Sequence, residues 1–326
     1  MMAGMISRQT DFLPLPLAGE GRGEGNAERV LWSEHIPRPA FSPGSSPVNG
    51  GEEPGWHARL DLGFERRDAA TRLTRREHMG PLRVQKPLYP EGEAVCHAIV
   101  LHPPSGIAGG DQLEIRASVG SGAHALLTTP GAGKWYRSAG DEASQALAFR
   151  VEAGGALEWL PQETIVFAGA RAAMRTRVEL EADARFIGWE VLCLGRRASG
   201  EGFEAGRLHL ENRILRDGKP VWLERGRVMG GGALLAAAAG LAGFSVSATL
   251  IACGPGLAAD ALAGCRAVAT TESGARHGVT RLPDLLVARY LGHSSEAARH
   301  WFTRLWHVLR PALIGCEASA PRIWNT

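Results

Sequence analysis

Lysine, tyrosine and an excess of either charge are all scarce in this 326-residue chain, and each shortage excludes something. The formal net charge is +2, and lysine occurs only at Lys86, Lys134 and Lys219. The many arginines are scattered among acids, so the chain lacks the basic stripe that tracks nucleic acid. Its five cysteines, Cys96, Cys193, Cys253, Cys265 and Cys316, are odd in number, widely spaced and never form a C-x-x-C pair. That spacing argues against both a disulfide framework and a structural zinc site. No basic segment leading into an apolar core is seen near the start, so no secretory signal is expected. The longest apolar run, Ala233 to Phe244, is too short and too glycine-interrupted to cross a bilayer. A soluble cytoplasmic protein with no nucleic-acid or membrane partner is the expectation.

The chain divides by composition. Residues 1–54 carry Leu-Pro-Leu-Pro, a Gly-Glu-Gly-Arg-Gly run and a Ser/Pro/Gly-rich stretch with no hydrophobic period. Such a segment buries too little apolar surface to offset its ordering entropy, so a disordered extension is expected there. Residues 55–326 are expected to form a single domain. Ala58, Leu60, Leu62 and Phe64 alternate with polar residues as in a half-buried strand, and Thr71 to Glu77 is its hairpin partner. Further strand patterns fall at 95–102, 145–152, 156–160, 164–167, 174–180, 185–194, 207–215, 221–224 and 244–252. Asp217-Gly218 is a hairpin turn between 207–215 and 221–224. Short strands at regular spacing predict a mainly β fold of stacked sheets. Two or three helices are expected, mostly near the C-terminus: one within 257–271, one from Pro283 to about Leu291, and one capped by Ser294 or Ser295. The last runs to Leu309, is stopped by Pro311, and presents Ala298, Trp301, Phe302, Leu305 and Leu309 on one buried face.

Several constellations invite a chemical reading. Gly131-Ala-Gly-Lys-Trp imitates the end of a phosphate loop, but Thr128 stands where that motif needs glycine and Trp135 where it needs Ser or Thr. Cys96, His97 and His102 are soft-metal ligand types, yet strand alternation turns Cys96 and His97 to opposite faces. A buried thiol with polar strand neighbours is the better account. His293, His300 and His307 recur at seven-residue steps, too far apart along a helix for one ion. Carboxylates carry more weight. Asp111 follows two glycines in a loop open to close approach. Glu190, Glu224 and Glu158 interrupt apolar strands, where an acid is either solvent-facing or buried with a partner. Glu190 and Glu224 are therefore candidates to line an internal polar passage, the alternative being ion pairs with Arg196, Arg197 or Arg225.

Long ordered motifs run through the domain. They are Gly80 to Gly92 (GPLRVQKPLYPEG), Leu101 to Asp111 (LHPPSGIAGGD), Thr128 to Ser138 (TTPGAGKWYRS), Leu157 to Ile165 (LEWLPQETI), Gly188 to Arg196 (GWEVLCLGR), Arg310-Pro311 and the closing PRIWNT. In this order they are similar to the urease accessory protein D family, also written UreD or UreH, from about Trp56 onward. The resemblance implies a mainly β fold and a noncatalytic chaperone or scaffold role in urease maturation. Implied partners are the urease apoprotein, accessory protein F and, through F, the GTPase accessory protein G. It further implies no tightly bound cofactor but transient nickel(II), for which Asp111, Glu190 and Glu224 are the passage candidates. Ser105 stands where many members have glycine, Gly133 where many have alanine or serine, and Ala168 where many have an acid or proline. Two other readings compete. A glycosidase-like β enzyme would pair carboxylates such as Asp111 and Glu190, and a metal-independent β interaction module would use the acids only structurally.

Overall fold

The computed structural model describes residues 55–257 and 259–325, so the extension read for residues 1–54 lies outside the described residues. In chain order the strands are β1 (His57–Arg67), β2 (Ala70–Met79), β3 (Arg83–Val84), β4 (Val95–Leu101), β5 (Gln112–Val119) and β6 (His124–Thr128). Next come β7 (Gly133–Trp135), β8 (Ala143–Val151), β9 (Ala156–Trp159), β10 (Thr164–Val166), β11 (Arg171–Leu180) and β12 (Arg185–Leu194). The last five are β13 (Arg207–Arg216), β14 (Lys219–Met229), β15 (Val246–Cys253), β16 (Arg276–Leu282) and β17 (Leu285–Gly292). The helices are α1 (Ala233–Ala236), α2 (Ala259–Ala267) and α3 (Ser295–Leu313). The mainly β expectation holds.

Two sheets form. One runs β14-β13-β11-β8-β5-β1-β2, the other β16-β17-β15-β12-β9-β6-β4-β3, with β10 beside β12 and β7 beside β10. From β4 to β13 the chain alternates between sheets, so each turn of a coil lays one strand into each. Successive strands within a sheet are therefore parallel: β1, β5, β8, β11 and β13 in the first, and β4, β6, β9 and β12 in the second. The corners stack as the strands do. Glu152 N donates to Val119 O, Glu181 N to Val151 O, and Asp217 N to Leu180 O, so the turns keep their backbone groups satisfied. Gly154 serves one corner at φ 72°, a conformation that costs glycine nothing. The antiparallel hairpins read from the sequence, β1–β2 and β13–β14 with its turn at Asp217-Gly218, close the first sheet at either edge.

Two hydrophobic cores result. The first lies between the sheets and includes Leu60, Leu62, Phe64, Leu113, Ile115, Phe149 and Val178. The second lies on the far face of the second sheet, where Ile187, Trp189, Val191 and Leu250 meet Trp301, Phe302, Leu305, Trp306 and Leu309 of α3. Each large side chain fully buried there contributes about 1.5–3 kcal/mol. Ser294 caps α3 by accepting from Ala297 N. Pro311 does not stop this helix, which continues to Leu313; so near the C-terminus a proline displaces few intrahelical bonds.

A second expectation is overturned. Pro283 to Leu291 is not a helix: Pro283-Asp284 is the turn of the antiparallel β16–β17 hairpin, with Asp284 at φ 58°. Residues Leu285 to Ala288 are all buried, because β17 is covered on both faces, and a strand of that kind shows no alternation.

Candidate inter-sheet passage

Inward-facing residues of the two sheets do not fill the space between them completely. A cavity of about 250 Å³ runs across the strands, lined chiefly by apolar side chains such as Ile115, Leu147, Trp159 and Phe186. Its polar lining includes His102 and Gln162, then Gln145 and Thr176, then Asn212, Thr249 and Glu190, with the cationic residues Lys134, Arg175 and Arg213 also bordering it. The coil sets this order. Ile115, Leu147, Thr176, Asn212 and Glu224 occupy one row across β5, β8, β11, β13 and β14. Facing it, Glu190, Thr249 and Arg289 form a row across β12, β15 and β17. Gly188, two residues before Glu190 on the same face, keeps the space open; a Cβ there would fall 2.4 Å from the Phe186 ring.

Glu190 and Glu224, singled out from different parts of the chain, thus belong to one polar cluster. Glu224 Oε1 accepts from Arg289 Nη2 at 2.6 Å, and Arg289 Nη1 also donates to Thr249 at 3.3 Å. The guanidinium lies 5.7 Å from the Trp222 ring centroid. The partner of Glu224 is therefore Arg289, not a sequence neighbour. Arg225 approaches Glu211 and Arg196 pairs with Glu201. Glu190 forms no ion pair among the described residues. Burial in the sheet stack, reinforced by the Glu224 charge, pushes its carboxyl up to about 7, against a weaker opposing hydrogen bond from Asn212. Near neutral pH it is poised between an acid and an anion.

Asp111 is placed differently. Its two carboxylate oxygens accept from Trp56 N and Ala108 N, each at 2.8 Å, so it staples the 103–111 loop to the start of the domain. It is not among the cavity-lining residues. The same loop holds Ser105 at φ 58°, the left-handed conformation that glycine takes freely. His102, set aside in the sequence together with Cys96 and His97, does line the cavity. Burial holds its imidazole below the ordinary histidine range, only partly offset by Asp111, and its Nε2 has no hydrogen-bond partner. The other two residues of that trio are buried: Cys96 is a core thiol and His97 bonds Glu91 at 2.5 Å.

A second ionic cluster was not legible as one. Fully buried Glu158 accepts from Arg310 Nε at 2.9 Å and from Trp306 Nε1 at 2.5 Å, and contacts His124 Nε2 at 2.7 Å. Arg310 continues to Glu91. Burial alone would raise the Glu158 carboxyl, but His124, Arg310 and Trp306 together hold it below the carboxylate range. Burial likewise opposes protonation of His124, yet its hydrogen bonds with Cys316 and Glu158 raise it to about 9. Glu91, Glu158 and Arg310 come from three separate motifs, so those motifs meet in one ion network under α3. Thr128 and Trp324 meet too, at 2.8 Å. Among the described residues no three His, Cys, Asp or Glu side chains cluster closely enough to hold a resident metal. No described helix is long and apolar enough to span a membrane. Gly133–Trp135 forms β7, parallel to β10, rather than a phosphate loop.

Comparison with known proteins accounts for the ordered motifs. The family model described as UreD urease accessory protein matches residues 57–325. A urease accessory protein UreD of Dechloromonas aromatica is 59% identical over 247 residues, covering 75% of this chain and 85% of that protein. One of Azoarcus sp. is 54% identical over 75% of this chain and 85% of its own length, and one of Janthinobacterium sp. 53% over 73% and 81%. With a matched segment that spans both sheets, the passage and all three helices, the chain belongs to the UreD urease accessory protein family.

Proposed function

We propose that this protein is a noncatalytic cytoplasmic scaffold of urease maturation, and that nickel(II) passes through it along the inter-sheet cavity. In this reading it binds the urease apoprotein and accessory protein F, which brings the GTPase accessory protein G. Nickel is cargo here, not a resident cofactor. The observation that supports the passage is Glu190 on the cavity wall, with Glu224 one strand beyond it beside lining Asn212, and the neutral imidazole of His102, its Nε2 unpartnered, lining the cavity elsewhere. Oxygen donors with one nitrogen bind nickel weakly, which suits transfer rather than storage. Asp111 drops out of this role: with both oxygens engaged by backbone amides it is a loop staple. The same fact weighs against pairing Asp111 and Glu190 as a glycosidase acid and base.

The test is coexpression with urease structural subunits and accessory proteins F and G, comparing wild type with Glu190→Gln, Glu224→Gln and His102→Ala. Nickel content and activity of purified urease are measured beside co-purification with accessory protein F. Expected is a loss of nickel loading of about tenfold or more, the effect of one removed charge interaction, with the complex retained. Full activation by all three variants would sink the passage.

A further inference from the structure

The charge balance at the Glu190 end of the cavity is incomplete in a way that singles out one residue. Glu190 lines this end, and the next strands beyond lining Asn212 and Thr249 carry Glu224 and Arg289, which pair across the two sheets at 2.6 Å, with Glu224 close enough to raise Glu190. One guanidinium, that of Arg289, serves the two carboxylates, and it bonds only Glu224 and Thr249. Ionised, the cluster is one positive charge short. A divalent cation in place of Arg289 would neutralise both carboxylates, with Asn212 and Thr249 as added oxygen donors. A monovalent ion would leave the deficit unchanged.

Arg289 is also built to leave. Its side chain is 42% exposed, so withdrawal into solvent carries little desolvation cost. Its neighbour across the edge of the sheet, in register on β16, is Gly278, around whose missing Cβ nothing lies within 4 Å. Gly278 thus sets no side chain beside Arg289 on that strand, and the Trp222 ring lies 5.7 Å from the guanidinium.

Resting on the passage reading above, we propose that Arg289 is a displaceable counter-ion that closes the Glu190 end of the cavity and yields to divalent but not monovalent cations. It is a selectivity-determining residue in the sense that charge rings and fixed cations select in pores. The resident guanidinium keeps the end neutralised enough to stay closed when no cargo is present. Its competition also weakens the bound state, so that the ion is released again.

The experiment uses the full chain, wild type and Arg289→Gln, in equilibrium dialysis against nickel(II) in excess sodium chloride. Arg289→Gln is expected to bind nickel about tenfold more tightly than wild type, with the gain abolished in Arg289→Gln/Glu190→Gln. Unchanged affinity overturns the proposal. Arg289→Lys guards against misfolding: it keeps the charge but not the fork that spans Glu224 and Thr249. It should show a smaller gain, and no gain there overturns the proposal equally. In the coexpression assay Arg289→Gln should shift the nickel concentration needed for half-activation, a readout that a merely structural role would not move in one direction. If Glu190→Gln and Glu224→Gln activate urease fully, the passage fails; if they block activation while Arg289→Gln changes neither binding nor activation, only the counter-ion proposal fails.

Discussion

Glu158 and Glu190 stand on neighbouring strands of one sheet and face opposite ways. Ile187 is the register partner of Glu158, so Glu190, three residues further along β12, turns to the other face. The outer glutamate sits under α3 among His124, Trp306 and Arg310, and its carboxyl is held low. The inner one lines the inter-sheet cavity beside Asn212, with the Glu224 charge one strand beyond, and its carboxyl is raised to about 7. Burial opposes the anion in both, so burial alone accounts for the raised Glu190 but not for the lowered Glu158. The partners decide: one face uses a carboxylate as mortar, and the other leaves it short of a cation.

The comparison is broken most severely by removing a partner from the outer face. Glu158→Gln or Arg310→Met strands a charge beneath α3 and should cost about 3–5 kcal/mol in urea unfolding. The double variant Glu158→Gln/Arg310→Met should cost clearly less than the sum of the two. Additive costs would show that the pair is not coupled.

The inner glutamate should respond with the opposite sign. Its folded pKa lies above the unfolded value near 4.5, so the anion is the penalised form. Wild type therefore loses stability as pH rises from about 4.5 through 7. Glu190→Gln should be the more stable protein at pH 8, by about 2–3 kcal/mol at most, with the difference vanishing near pH 4.5. A destabilised Glu190→Gln at pH 8 would mean that this carboxylate is paired after all.

His124 sharpens the outer half. Its folded pKa of about 9 exceeds the unfolded 6.5, so its contribution is complete below pH 6.5 and is lost as pH rises through 9. His124→Gln should be less stable than wild type at pH 6 by up to about 3 kcal/mol and should approach it above pH 9. The smallest effect is expected for Ser294→Ala, which removes the cap of the helix carrying Arg310 without touching the network. About 1 kcal/mol should be lost in thermal unfolding, with no change in pH profile.

How much of this was legible depended on the range of the interaction. Alternation exposed β1, the Asp217-Gly218 turn announced the β13–β14 hairpin, and a capped apolar stripe identified α3. These are local signals. The parallel coil is not local: β5 pairs with β1 and β8 through long connections that no short window reads. The misread stretch from Pro283 failed for a related reason, since a strand buried on both faces has no period, although Pro-Asp followed by apolar residues is also a turn signature. Glu190 and Glu224 could be singled out as candidates because an acid inside an apolar strand is conspicuous wherever it lies. Arg289 was missed because it is 65 residues from its partner and looks like any surface arginine. Asp111 sat in the expected loop, but which atoms its carboxylate would bond depended on Trp56, 55 residues away.

The alternating coil has a geometric corollary for the cavity it encloses. Since the cavity runs across the strands rather than along them, its length is counted in turns, each adding one strand spacing of about 4.8 Å. Reach and side-chain chemistry are thereby separable: inserting or deleting a whole turn would move the two ends apart or together by a fixed step, while substitutions within a turn retune one rung of the ladder. The cavity is in effect a ruler whose graduations are strands.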